Sequence, residues 1–278
     1  MKGGKKALWQ DTLIADDLMA KTKDYIEQHQ AEPFFLFIST NDIHAPRLPN
    51  PRFKGATTLS YRGDNVVQLD WCVGEVRKML EAQGLADNTL IIFSSDNGPV
   101  YIDGGYQDES DQGDHQAAGI YRGGKYQIYE GGTRVPFIVW WPSVIQPQVS
   151  DALVTQVDLL ASFAHFLDLE LPEGAAPDSR NYWDTFMGKD SQGAEVILEQ
   201  TNTERIIALR KGPYKYIDKL EGTNELYNLE EDPQETTDLL LSNPQMAEEL
   251  GQDLKQLRQR YLHEFYEIGK EKGSEAKK

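Results

Sequence analysis

One cysteine stands among 278 residues, and a single thiol excludes an intrachain disulfide and a cysteine-rich zinc site alike. Basic residues are scarce as well: 28 Lys and Arg face 45 Asp and Glu, a formal net charge of −17. A surface so acidic repels phosphate backbones and anionic lipid, which argues against nucleic-acid and membrane-surface binding. It also disfavours an anionic substrate unless clustered cations or a bound metal reverse the potential locally. No apolar run approaches the roughly 18 residues of a membrane span, and the lysines of MKGGKKALWQDTL have no apolar stretch behind them. The expectation is a soluble chain with neither a membrane segment nor an export signal. Its compartment is left open, and no internal repeat is visible.

What is present is ordinary globular material, with 39% hydrophobic residues, enough for one large domain or a large one with a small appendage. Leu13, Leu18, Tyr25 and Ile26 recur at near-helical spacing up to HQAEP. PFFLFIST is a continuous apolar run and reads as a strand buried on both faces. The prolines of NDIHAPRLPNPRF exclude regular structure. Val66, Leu69, Val73, Val76 and Leu80 then step by three and four along a helix that Gly84 ends. TLIIFSS is a second buried strand. Strand, helix, strand in this order predicts a right-handed crossover, and hence an α/β fold with a mostly parallel sheet flanked by helices.

A further strand, VPFIVWW, and an apolar helix, VDLLASFAHFLDLEL, follow. Cys72 and His165 are expected in core positions, His29 and His263 on polar helix surfaces. The runs EVILEQ, IIALR, YKYI and ELYNL predict a small antiparallel sheet. Met246, Leu250, Leu254, Leu257, Tyr261, Phe265 and Ile268 form the stripe of a terminal helix, with GKEKGSEAKK as a frayed tail. The expected division is an α/β core over 1–189 and a smaller α+β part over 190–278.

Ligands of parallel α/β sheets gather beyond the carboxyl ends of the strands. His44 falls there after PFFLFIST, and Asp96-Asn97 after TLIIFSS. A carboxylate and an amide are the oxygen donors that hard cations such as Ca2+ or Mg2+ prefer, although such an ion takes six or more oxygens. The same residue types also make tight turns, so both readings stand open on the residues alone. Lys125 is bracketed by glycine pairs in YRGGKYQIYEGG, which let the backbone turn tightly and hold the side chain. It is otherwise an exposed hairpin lysine, as His44 is otherwise a loop histidine capping a backbone group. Together Lys125 and His44 can bind an anion, with His44 able to donate a proton to a leaving oxygen. The acidic, glycine-rich stretch 101–116 reads as a mobile loop.

Four segments, PFFLFISTNDIHAPRLPNPRF, QLDWCVGEVRKMLEAQGLADNTLIIFSSDNGP, YRGGKYQIYEGGTRVPFIVWWP and ELYNLEEDPQETTDL, together resemble the later two thirds of a type I sulfatase, of the arylsulfatase type within the alkaline phosphatase superfamily. The resemblance implies hydrolysis of a sulfate monoester, with a sulfate-ester small molecule or a sulfated glycan as substrate. It implies that Asp96 and Asn97 bind Ca2+, that Lys125 holds sulfate oxygens, and that His44 stands beside the sulfate and the leaving-group oxygen. His115 is implied as a residue on the substrate side, and the site residues are expected to converge at one rim of the sheet.

The family's nucleophile is a hydrated formylglycine made within a Cys/Ser-x-Pro/Ala-x-Arg motif, and these 278 residues contain no such motif. An earlier strand with paired aspartates has no counterpart either. The expectation is a chain like a sulfatase without its first third, inactive by itself, with FFLFI facing water along an unpaired edge and promoting self-association. Two other readings stand beside it. One is a non-catalytic relative that binds anions or glycans. The other is a phosphodiesterase or phosphatase of the same superfamily using two zinc ions, against which Asn97 speaks, since histidine is the better zinc ligand.

Overall fold

The computed structural model describes residues 8–101, 114–201, 206–219 and 222–275, with side chains described to residue 259. Two compact units result. The first takes its described residues from Met1–Ser94, Val100–Ala117 and Phe137–Pro147, the second from Ser95–Pro99, Ala118–Pro136 and Gln148–Lys278. Most of the expected loop at 101–116 lies outside the described residues.

In the first unit, helix α1 (Ile14–His29) buries Ala15, Met19, Thr22 and Ile26, spaced four, three and four apart along one face. Ala15 and Met19 pack on Cys72 of α2 (Ser60–Ala82), with Ile38 and Val76 around them. Cys72 is thus a core residue, and burial pushes its thiol up to about 12. The α2 stripe departs from its expectation in one half. Arg62, Asp64, Asn65 and Gln68 are buried there, while Val66 is 49% exposed. Polar side chains go inside because they meet partners: Asp64 accepts the backbone N–H groups of Gly55 (2.8 Å) and Thr57 (3.1 Å). The helix ends where expected, at Gly84 with φ +68°, and Leu85 N–H closes on Leu80 O at 2.8 Å.

TLIIFSS and VPFIVWW yield strands β1 (Ile91–Ser94) and β2 (Phe137–Trp140), and they pair antiparallel with Phe93 opposite Ile138. Both sheets among the described residues are antiparallel, so the parallel sheet inferred from the crossover pattern is not what these strands form. The physical reason lies in the first member of that pattern. Residues 33–40 join no ladder, although their burial alternates as in a strand: Phe34, Leu36 and Ile38 are half-buried, while Phe35 and Phe37 are 75% and 79% exposed. A strand needs a hydrogen-bonding neighbour, and apolar composition does not supply one.

The second unit carries a single turn of helix, α3 (Glu130–Thr133), then α4 (Leu159–Phe166) and α5 (Trp183–Phe186). His165, expected inside, is exposed, because α4 turns Ser162 and Ala164 inward instead. The predicted antiparallel sheet is present as a meander, β3 (Val196–Gln200), β4 (Ile207–Lys211), β5 (Tyr214–Asp218) and β6 (Glu225–Asn228). Side chains alternate across it. Leu209, Tyr216 and Leu226 pack on Leu250 and Leu254 of α6 (Pro244–Glu275). Ala208, Ile217 and Tyr227 face the other way and enclose Ile128. Helix α6 continues to Glu275, into the segment expected to fray, whose last three residues lie outside the described ones. The side chains of Tyr261, His263, Phe265 and Ile268 lie outside the described ones. Among the described residues, no helix is long and apolar enough to cross a membrane.

Candidate functional site

Asp96 and Asn97 occupy the turn directly after β1, Asp96 exposed and Asn97 half-buried. The turn is fixed locally by Ser95 Oγ donating to Asn97 O (3.2 Å) and Asn97 Nδ2 donating to Gly98 O (2.8 Å). Gln156 Nε2 donates to Ser95 O at 2.6 Å. Gly98 is buried against α3, its N–H donating to Gly132 O at 2.9 Å. A Cβ at residue 98 would stand 1.8 Å from Gly131 O, so this close approach of two backbones requires glycine.

Lys125 joins the same frame. Its N–H donates to Pro99 O at 2.8 Å, which lays the lysine loop along the end of the Asp96-Asn97 turn. The loop is shaped by Gly123 and Tyr126, both in the left-handed region at φ +78° and +77°. Gln127 Oε1 accepts Gly124 N–H across it at 3.0 Å. Lys125 is half-buried, and Nζ stands 5.4 Å from the centre of the Tyr126 ring. Three of the residues singled out from the sequence thus share one backbone frame within the second unit.

His44 and His115 belong to the first unit, and both are exposed. His44 Nδ1 lies 2.7 Å from Ala45 O, a backbone partner of the kind a loop histidine takes. Its loop is clamped by Gln68, which accepts Asn50 N–H at 2.7 Å and donates to Asp42 Oδ1 at 2.5 Å. Burial pushes the Asp42 carboxyl up, against the opposing pull of the Gln68 hydrogen bond.

The pattern reading missed an ionic cluster in the second unit. Lys215 Nζ is fully buried, 2.9 Å from Glu130, 3.0 Å from Glu199 and 3.4 Å from Glu235. Glu130 also faces Arg210 at 3.4 Å and Arg134 at 3.6 Å, and its N–H donates to Glu235 Oε2 at 2.7 Å. Burial pushes the Glu235 carboxyl up to about 7 and raises that of Glu199. At Glu130 burial also opposes ionisation, but Lys215, Arg210 and Arg134 outweigh it and hold the carboxyl below its usual range. At Lys215 burial works against the charge and the carboxylates of Glu199, Glu130 and Glu235 prevail. A signal was available: counting alternate positions puts Glu199 and Lys215 on the face that carries Ala208 and Ile217.

Among the described residues, no group of three or more His, Cys, Asp or Glu is arranged to hold a metal. The side-chain oxygens of Asp96 and Asn97 suit a hard cation in kind, and number two of the six or more it takes.

The sulfatase family model matches residues 9–169, a span that includes the Asp96-Asn97 turn, Lys125, His44 and His115. The chain belongs to the sulfatase family. This sulfatase chain is 45% identical over 277 residues to an N-acetylgalactosamine-6-O-sulfatase of Bacteroides thetaiotaomicron, covering 94% of the chain and 54% of that protein. It is 36% identical over 176 residues to the steryl-sulfatase of Rattus norvegicus, covering 63% of the chain and 30% of that protein. A sulfatase structure reported with glycosaminoglycan metabolism by B. thetaiotaomicron matches with TM-score 0.88 and 42% identity, over 93% of the chain and 57% of that structure. The chain spans about half the length of its bacterial relative. The fold is accordingly a sulfatase-like α/β arrangement of helices and antiparallel sheets.

Proposed function

We propose that this chain is the part of a sulfuric-ester hydrolase that holds the sulfate group and the leaving oxygen, acting on a glycan sulfated at O6 of N-acetylgalactosamine. The 45% identity to a sulfatase of that name supports the substrate class. The observation that carries the site is the bond from Lys125 N–H to Pro99 O, which gives the cation and the Asp96-Asn97 turn a common frame. In this reading the Lys125 ammonium takes sulfate oxygens, a local positive charge in a chain of net charge −17. His44 donates a proton to the departing sugar oxygen, and His115 touches the sugar. Asp96 and Asn97 hold Ca2+, with Mg2+ as the other hard cation of suitable chemistry, and a bound divalent ion supplies neutralisation of developing negative charge. Because the 278 residues contain no formylglycine motif, the chain by itself binds without turnover.

The test is calorimetric titration of the chain with N-acetylgalactosamine-6-sulfate and with unsulfated N-acetylgalactosamine. Only the sulfated sugar should bind, and Lys125→Ala should abolish the heat. Equal binding of both sugars, or binding indifferent to Lys125→Ala, overturns the reading.

A further inference from the structure

The turn α3 occupies an unusual position in the second unit. Both candidate loops are hung on it: Gly98 N–H donates to Gly132 O, and Gly131 N–H donates to Arg122 O at 2.7 Å, just ahead of the Lys125 loop. Its first residue, Glu130, is 2% exposed and enters the ionic cluster with Lys215, Glu199 and Glu235. The loop approaching α3 is tied to the same region by Arg122, whose Nη1 donates to Glu235 O (2.9 Å) and Tyr227 Oη (3.1 Å) while the guanidinium covers the Tyr129 ring at 3.7 Å. An apolar side chain at Glu130 would have given α3 burial without direction. Lys215 lies within 3.4 Å of all three carboxyl groups and is hydrogen-bonded to Glu130, whose N–H is bonded in turn to Glu235, and this arrangement specifies one orientation, because misplacement leaves the buried ammonium unpaired.

We propose that Glu130, held by Lys215, Glu199 and Glu235, is the positioning residue of the sulfatase site, so that the C-terminal meander sets the placement of the Asp96-Asn97 turn and of Lys125. The inference rests on the functional reading above only in taking those residues as the site. The meander does this through charged side chains on the same face as Ala208 and Ile217. Lys215 lies opposite Arg210 in the ladder and Glu199 opposite Ala208, so the cluster is built into the register of the sheet. A one-residue slip would turn these charges to the other face, towards Leu250 and Leu254.

The experiment uses the full chain, as wild type, Glu130→Ala and Glu130→Gln, with amide hydrogen exchange read residue by residue. In Glu130→Ala the amides of Gly98 and Lys125 should exchange about tenfold faster, with the β4–β5 ladder amides changed no more than about twofold. Glu130→Gln keeps an acceptor for Lys215 and should recover part of the protection. Should Glu130→Ala fail to fold, Glu130→Gln alone is expected to show the same local pattern at reduced size. Amides of Gly98 and Lys125 that stay protected, or that open no more than the ladder, overturn the inference. The same samples are titrated with inorganic sulfate, followed at the Lys125 resonances. The Kd should rise about tenfold in Glu130→Ala and be partly restored in Glu130→Gln, which lowered stability alone does not produce in a folded sample. Binding of equal strength in all three chains overturns the inference. Absence of sulfate binding by the wild type fails the functional reading, and the exchange comparison then decides this one by itself.

Discussion

The ammonium of Lys215 sits within 3.4 Å of three carboxylates with no exposure to solvent. Removing it leaves those acids buried around a vacated centre, with Arg210 and Arg134 touching only the Glu130 side. Lys215→Met should therefore cost about 3–5 kcal/mol, as for other buried pairs broken at one partner, measured by urea denaturation. Glu235 gives a test in pH. Its carboxyl is raised from 4.5 to about 7, so across that window the folded chain keeps a proton that the unfolded chain has released. Stability from this group is full below about 4.5 and is lost as pH rises through 7. Glu130 has the opposite sign: its lowered value contributes stability that is lost as pH falls. Relative to Glu235→Gln, the wild type should lose stability between about pH 4.5 and 7 and hold level above. A difference that is flat across this range would count against the assignment. At Gly98 the argument is steric. With backbone oxygen 1.8 Å from the added Cβ, Gly98→Ala forces the two loops apart and should cost about 1–3 kcal/mol.

At the scale of elements, periodicity located what depends on apolar spacing. The end of α2 at Gly84, the four strands of the meander and the Leu250–Leu254 face of α6 were all legible, the first from a glycine stop and the others from apolar runs and spacing. The first half of α2 was not, because Arg62, Asp64 and Gln68 are buried against partners in other segments, the backbone at Val100 and at 55–57 and the carboxyl of Asp42, which helical spacing does not show. The same limit hid the Lys215 cluster and put His165 inside a helix that turns it outward. In the candidate site, the tight turns at Asp96-Asn97 and around Lys125 were legible from their residue types, whereas the frame that α3 gives them was not. The segment 33–40 carries the clearest consequence. Phe35 and Phe37 present two aromatic side chains to solvent on one side of an unladdered stretch, and exposed aromatic side chains of this kind are expected to take up a hydrophobic dye and to favour self-association. Replacing both by serine should remove most of the dye signal and shift sedimentation towards monomer. Stability should move by less than about 0.5 kcal/mol per site, as at other exposed positions. Unchanged dye binding would place the sticky surface elsewhere.

For the molecule as a whole, the acidic balance of 45 against 28 makes cations generally attracted, so specific metal binding has to be separated from this background by competition with salt. With two oxygen donors at Asp96 and Asn97, Ca2+ affinity should be weak, in the millimolar range of poorly filled sites. It should fall further in Asp96→Ala, as read by calorimetry at physiological ionic strength. Submicromolar binding would mean that other ligands exist. Turnover of an aryl sulfate should be absent, and a rate abolished by His44→Ala would show that the chain supplies its own nucleophile. The bond from Lys215 to Glu130 spans 85 positions, and this distance sets a schedule for biosynthesis. At about 5–20 residues per second, Glu130 leaves the ribosome roughly 4 to 17 seconds before its counter-ion. Until then the lysine loop can close on Pro99 and α3, but Glu130 has no counter-ion at Lys215 to hold α3 in place. A nascent chain arrested short of Tyr214 should be cut by protease between residues 123 and 127, and one arrested with α6 fully emerged should resist.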